Sequence, residues 1–287
     1  MLTRRKFLYT GLAGTAGIAV TSVDGFLESN HLQVKKLDIR LRIPDAFDGF
    51  SIAQLSDFHY EHHFSVLPIR KSVEVVNTLR PDVIVLTGDF VTVPTLDYGS
   101  RRGRRAARYA APCAEILRKL QAPMGRFAIL GNHDGASDPG IVVGALQDHG
   151  IPVLLNRSVP FERGSARIWL AGIDDLLEGS PDLAVTLKAI PSGEATILLA
   201  HEPDFADEVA RASVALQLSG HSHGGQVWIP GIGAPWLPRM ARKYPRGLYQ
   251  SGGLTLYTNA GVGTVRVPVR LNCPPEVTLI TLRVARF

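Results

Sequence analysis

Cysteine is scarce in this chain. Cys113 and Cys273 are the only two among 287 residues, and neither has the close paired spacing of a thiolate metal site. An oxidising compartment would permit them to pair, but two reduced, buried thiols is the preferred reading. Long apolar runs are also missing. A spanning helix needs about 20 apolar residues, and only residues 7–23 approach that. There is no internal repeat and no low-complexity linker, so residues 28–287 are read as one folded domain. An excess of one charge is lacking too. The formal net charge is +5, but Arg4, Arg5 and Lys6 lie in an N-terminal segment with no acidic residue before Asp24. Setting those three aside takes the 31 Lys and Arg to 28, against 26 Asp and Glu. A balance of about +2 argues against a general nucleic-acid binder.

Residues 1–27 read as a targeting segment rather than part of the fold. Thr3-Arg4-Arg5-Lys6-Phe7-Leu8 resembles the twin-arginine export signal, and the weakly apolar, Gly- and Ala-rich residues 11–20 suit it. An ordinary secretory signal or a short membrane helix is the alternative. No clean Ala-x-Ala cleavage site follows. The expectation is an exported protein of the periplasm or cell envelope, partnered by the export machinery, that can keep this segment as a membrane anchor.

Residues 31–43 alternate between apolar and polar, as a half-buried edge strand does. Val73, Val76 and Leu79 have helical spacing within residues 67–79, and Arg80-Pro81 fits a helix end. Apolar runs on either side make this a strand, helix, strand unit, which argues a parallel crossover. Further helices are expected over 109–120, with Pro112 in the first turn, and over 141–149, closed by Gly150. One more starts from Ser180 as its cap, and another covers 204–212. Strands are expected around a turn at 162–165 and over 254–259 and 277–284.

Five short apolar runs each end in Asp, Asn or His. Residues 52–55 lead to Asp57 and His59, and residues 83–86 to Gly88-Asp89. Residues 127–130 lead to Gly131-Asn132-His133-Asp134, residues 197–200 to His201, and residues 214–218 to Gly220-His221-Ser222-His223. Ligands in open α/β sheets bind outside the carboxyl ends of strands, so a shared sheet or pair of sheets would bring all of these together. Each alone reads as an ordinary turn residue. Together, Asp, Asn and His without Cys form the donor set of Mn, Fe or Zn. Two such ions can share a hydroxide and clamp a phosphoryl group.

In this order, Asp-x-His, Gly-Asp, Gly-Asn-His-Asp, a lone His and Gly-His-x-His, the chain resembles the calcineurin-like metallophosphoesterase superfamily. Residues 242–247 and 273–276 are similar to its bacterial exported or membrane-associated branch. The resemblance implies an α/β fold of two packed mixed β-sheets flanked by helices, in four αββα layers. It implies two divalent transition-metal ions. Asp57, His59 and His223 hold one, Asn132, His201 and His221 the other, and Asp89 bridges them. His133 faces the substrate and protonates or stabilises the leaving oxygen, and Asp134 orients His133. A hydroxide shared by the ions attacks phosphorus in a phosphodiester or phosphomonoester. After His59 the chain departs from the small residues common there, with Tyr60-Glu61-His62-His63.

Two rival readings are kept. An inactive phosphate- or metal-binding relative would be expected to have lost ligands, and none is missing. A nuclease would use the basic cluster Arg101, Arg102, Arg104, Arg105 and Arg108, but a solvated loop leading into a helix is preferred, and nucleic acid is not the expected partner. Asp174 and Asp175 read as a turn after a strand. The expected substrate is an amphiphilic phosphoester met at a membrane surface. Residues 228–249 mix Trp228, Trp236, Leu237, Met240, Tyr244 and Tyr249 with Arg239, Arg242, Lys243 and Arg246, a composition suited to lipid headgroups. Core packing of those aromatics is the alternative.

Overall fold

Eleven strands among the described residues form two mixed sheets, and every predicted site residue follows the end of one of them. The computed structural model describes residues 28–61 and 64–286; the expected targeting segment, His62 and His63 lie outside these. In chain order the strands are β1 (Gln33–Leu41), β2 (Ser51–Leu55), β3 (Val83–Thr87), β4 (Arg126–Ile129), β5 (Arg157–Arg163), β6 (Ala166–Gly172), β7 (Thr196–Leu199), β8 (Leu216–Ser219), β9 (Gly247–Ser251), β10 (Leu254–Thr258) and β11 (Glu276–Val284). One sheet has the order β1-β11-β2-β3-β4 and the other β5-β6-β7-β8-β10-β9. β2, β3 and β4 run parallel, as do β6, β7, β8 and β10.

The continuous apolar runs arise because both faces of the central strands are covered. Ile52, Val83 and Val85 pack between the sheets against Ile197, Leu199, Leu216 and Leu218. Their neighbours Ala53, Leu55, Ile84 and Leu86 point the other way, onto helices α1 (Val66–Leu79), α2 (Ala110–Leu117) and α4 (Pro139–Asp148). On the far side of the second sheet, Leu198 and Leu256 pack against α6 (Ala206–Val209). The expected four-layer sandwich is thus observed. β1 lies at a sheet edge and alternates in burial as anticipated. α1 buries Ile69, Val73 and Val76 and stops at Arg80, which takes a left-handed φ of 50° ahead of Pro81. α3 (Asn132–Ala136) is a short helix directly after β4.

Three boundaries differ from the sequence reading. α5 (Leu183–Leu187) is capped by Asp182, whose Oδ1 accepts the Val185 N–H at 2.9 Å. Ser180 does not cap it. The Ser180 N–H and C=O are bonded instead to Asp174 and Asn156. The helix expected over 204–212 is only α6, preceded by a 3-10 turn at Pro203–Phe205. The Asp204 carboxylate is taken by the backbone N–H groups of Arg242, Lys243 and Tyr244. β9 was not expected at all. It forms a hairpin with β10 across Gly252-Gly253, Gly252 supplying a φ of 59°.

Cys113 and Cys273 are both free and buried, as read from the sequence. Among the described residues no helix is long and apolar enough to cross a membrane.

Candidate metal centre

The site forms where the carboxyl ends of β2, β3 and β4 meet those of β7 and β8. The loops are tied to one another before any side chain is considered. Asp57 N–H bonds Gly88 C=O at 3.0 Å, His59 N–H bonds Asp89 C=O at 3.0 Å, and Gly220 N–H bonds His201 C=O at 3.0 Å. These ties hold an unusual backbone. Asp57, His59, Asp89, His221 and His223 all have left-handed φ values between 44° and 65°. Such conformations cost on the order of 1–3 kcal/mol each for non-glycine residues and gather at functional sites. The two-sheet core offsets them, since each fully buried Ile, Leu or Phe contributes about 1.5–3 kcal/mol. Close approach also requires glycine. A Cβ on Gly131 would lie 2.4 Å from Asp89 Oδ1, and one on Gly220 would lie 2.4 Å from Asp57 Oδ2.

The side chains converge into three groups whose donor atoms lie within 4.8 Å of one another: Asp57, His59 and His223; Asp89, His201 and His221; and His59, Asp89 and His133. Asp89 Oδ2 is 3.4 Å from His59 Nε2 and 3.2 Å from His201 Nε2, so one oxygen stands between two halves. Its Oδ1 accepts the His133 N–H at 2.9 Å. Asp57 accepts the His221 N–H through both oxygens and lies 3.3 Å from His223 Nε2.

These residues fit divalent cations. His201 Nδ1 lies 2.6 Å from the Thr87 carbonyl and His221 Nε2 lies 2.8 Å from the Arg239 carbonyl. A nitrogen facing a carbonyl must carry the proton, so in the neutral ring the other nitrogen keeps its lone pair, the usual arrangement in a metal-binding imidazole. His201 Nε2 and Asn132 Oδ1 are buried with no hydrogen-bond partner. Asn132 Nδ2 donates to Tyr98 OH at 2.8 Å, which leaves that oxygen for a ligand role. His59 Nε2 and His223 Nε2 face each other at 2.9 Å, a contact natural for two nitrogens aimed at one cation.

Electrostatics favour the neutral form at three of the four histidines of the expected ligand set, His59, His221 and His223, and the charged form at His201. Burial pulls the His59 and His223 imidazoles well below the ordinary range and lowers His221 to about 3. Burial, aided by Asp89, pushes Asp57 up to about 7. Burial also works against charge on Asp89 and His201, but each holds the other charged, the carboxyl low and the imidazole high. A bound cation favours the carboxylate and neutral-imidazole forms that ligation needs.

A family model for calcineurin-like phosphoesterases matches residues 50–225, the span that contains this whole cluster. The chain belongs to that family. It is 34% identical to YkuE, a Bacillus subtilis protein described as an uncharacterized metallophosphoesterase, over 98% of each chain. It is 31% identical to phosphodiesterase YaeI of Escherichia coli, over 98% of this chain and 100% of that one. A crystal structure from Thermus thermophilus superposes with a TM-score of 0.50 at 13% identity, covering 74% of this chain and 89% of that one, a likeness of fold alone. The protein is a phosphoester hydrolase whose clustered His and Asp side chains can bind metal.

Within this phosphoesterase, His133 is set apart from the other histidines of the cluster. Its Nδ1 accepts the Val93 N–H at 3.0 Å, so the neutral ring carries its proton on Nε2. Burial lowers its pKa. The expectation that Asp134 orients His133 is corrected by the geometry. The Asp134 carboxylate accepts N–H bonds from Asp89, Phe90, Val91 and Gly131 at 2.8–3.2 Å. It clamps the β3 and β4 loops together, and the Val93 backbone orients the imidazole.

Sequence reasoning missed Arg270, which is fully buried. Its guanidinium donates to the carbonyls of Ala260, Gly261, Gly263 and Cys273. Gly263 N–H in turn bonds Asp57 C=O at 2.7 Å, so Arg270 supports the loop behind Asp57. No local motif marks it, because its partners are all backbone oxygens. Asp174 and Asp175 are turn residues, accepting N–H bonds from Ser180 and from Leu177 and Glu178. The five arginines of the basic cluster are exposed on the helical turns Arg101–Arg104 and Arg105–Tyr109, the solvated lead-in to α2. In residues 228–249, Tyr244 is buried core and Trp236 is 56% exposed beside the metal cluster.

Proposed function

We propose that the protein is a binuclear metal-dependent phosphodiesterase, also competent on phosphomonoesters. Asp57, His59 and His223 would hold one ion, Asn132, His201 and His221 a second, and Asp89 would bridge. The observation that carries this is the single Asp89 oxygen lying within 3.4 Å of an imidazole nitrogen on each side. Bound divalent ions supply Lewis-acid polarisation of the phosphoryl group and lower the pKa of a coordinated water. The chain itself orients the imidazoles through Thr87 and Arg239, excludes bulk water from a buried floor, and presents the His133 Nε2–H to the leaving oxygen. The relative described as phosphodiesterase YaeI supports the choice of diester. Metal analysis with a panel of phosphodiesters and phosphomonoesters tests the proposal. Two ions per chain and diester hydrolysis are expected. One ion per chain, or loaded protein inert on every ester, would overturn it.

Its setting is proposed to be the cell envelope, after twin-arginine export, with an amphiphilic substrate. The supporting observation is a rim of exposed apolar side chains. Phe64, Leu67 and Val267 are 49–56% exposed; Phe64 and Val267 line a cleft that reaches His133, and Leu67 lines a second cleft that shares Phe64 with it. Protein lacking residues 1–27 should bind anionic vesicles, less so at high salt, and Leu67→Glu with Val267→Glu should weaken that binding. Equal binding by the double variant would remove the lipid reading.

A further inference from the structure

The segment between β3 and α2 serves the metal cluster twice. Val93 orients the His133 imidazole through its N–H. Further along, after a 3-10 turn at Thr95–Asp97, Tyr98 reaches the same place. Its ring packs with Val93, Ala106 and Ala136. It stands almost perpendicular to the His133 ring, with 5.7 Å between centres. The turn that delivers it is closed by two backbone bonds, Asp97 N–H to Pro94 C=O at 2.7 Å and Ser100 N–H to Asp97 C=O at 3.0 Å.

Packing accounts for the Tyr98 ring but not for its hydroxyl. That oxygen accepts the Asn132 Nδ2–H at 2.8 Å. Asn132 sets the direction of the bond. Its Oδ1 is buried without a hydrogen-bond partner, a position that suits an oxygen ligand to a cation and not an amide nitrogen. With Nδ2 as the donor, the phenol oxygen is the acceptor, and the tyrosine's own proton must point elsewhere. Among the described residues Asn132 is the one hydrogen-bond partner of that oxygen. A phenol both accepts and donates, and with an ordinary pKa of about 10 it keeps its proton at neutral pH. Tyr98 lines the cavity over the cluster together with Asp89, Asn132 and His133, so the hydroxyl borders the space a substrate would fill.

We propose that Tyr98 is a further catalytic residue, its O–H donating to a non-bridging phosphoryl oxygen of the substrate. This rests on the phosphodiesterase reading above. The leaving oxygen already has its donor in the His133 Nε2–H, whereas the negative charge of a diester lies on its two non-bridging oxygens. A donor fixed beside them stabilises charge that gathers there in the transition state without having to reorganise. Asn132 contributes in two ways. Its N–H holds the phenol oxygen in place, and by engaging a lone pair it polarises the O–H in the same hydrogen-bonded chain. A hydroxyl that served only to hold Asn132 would act on metal binding instead, and the two roles separate experimentally.

The test uses the metal-loaded full-length protein and its Tyr98→Phe variant, which keeps the packed ring and removes the hydroxyl. Methyl p-nitrophenyl phosphate and methyl phenyl phosphate present the same non-bridging oxygens and differ in leaving group. Tyr98→Phe should lower kcat/KM on both by one common factor of about 10- to 100-fold, the usual worth of a hydrogen bond to a charged group. His133→Ala should instead cost more on the phenyl ester, whose leaving oxygen has the greater need of a proton. Inorganic phosphate, followed by calorimetry, should bind about 10-fold more weakly to Tyr98→Phe, with metal content by mass spectrometry at the wild-type value. Metal lost in step with activity would reduce Tyr98 to a support of Asn132, and a loss confined to the phenyl ester would make it a leaving-group donor; either result overturns the proposal. Phosphate affinity equal in the two proteins would also overturn it. Wild-type protein inert on both esters would overturn the phosphodiesterase reading instead, because the phosphate measurement needs no turnover.

Discussion

His133 Nδ1 accepts the backbone N–H of Val93 at 3.0 Å. That one bond decides which nitrogen holds the proton, and it makes His133 a donor in a cluster of acceptors. His133→Ala should lower kcat by about 10²–10⁴-fold, the usual contribution of a positioned acid. Metal content, measured by mass spectrometry, should stay near the wild-type value. Loss of metal would instead make His133 a ligand.

Asp134 should behave differently. Its two oxygens receive four backbone N–H groups. Asp134→Asn turns an NH2 group toward some of those donors, and each buried N–H left unpaired costs about 1–3 kcal/mol. Melting temperature, metal content and kcat should fall together. A variant with reduced kcat but unchanged melting and metal content would restore the carboxylate as a partner of His133.

Gly131→Ala should abolish metal binding, because its Cβ would meet Asp89 Oδ1 at 2.4 Å and His201 Cε1 at 2.7 Å. Gly144→Ala is the control. It lies inside α4 with nothing within 4 Å of the new carbon, and should stabilise the fold by roughly 0.5–1 kcal/mol. Calorimetry and metal titration of both variants check the pair; a metal-binding Gly131→Ala protein would mean that the loops have slack.

Away from the site, hydrogen bonds from Arg167 and then Trp169 lower the Glu194 carboxyl from its usual 4.5 to about 2. A carboxyl held low in the fold stabilises it fully above the unfolded value and loses that effect as pH falls toward the folded one. Wild type should therefore melt above Glu194→Gln at pH 7, with the gap closing between about pH 4.5 and 2. A gap that is constant over this range would show that the ion pair contributes nothing through its charge.

Much of the centre is legible in the sequence because the chemistry and its address are local. Asp57, Asp89, Asn132, His201 and His221 each follow an apolar run, and the parallel strands those runs become must end on the same side. The αββα layering also leaves a local trace, since strands covered on both faces read as unbroken apolar stretches. Other features had no such trace. Asp134 reaches backbone groups 43–45 residues away and Arg270 the carbonyls of its own loop, and any carboxylate or guanidinium with the right reach would read the same. The Asp182 cap and β9 depended on which neighbours had already taken the competing hydrogen bonds. The left-handed backbone at five site residues exists only because two sheets pack face to face and hold the loops there. Residue order determined what could bind; the tertiary packing decided which atom of each residue faces the site, because that choice is made by hydrogen bonds between segments distant in sequence.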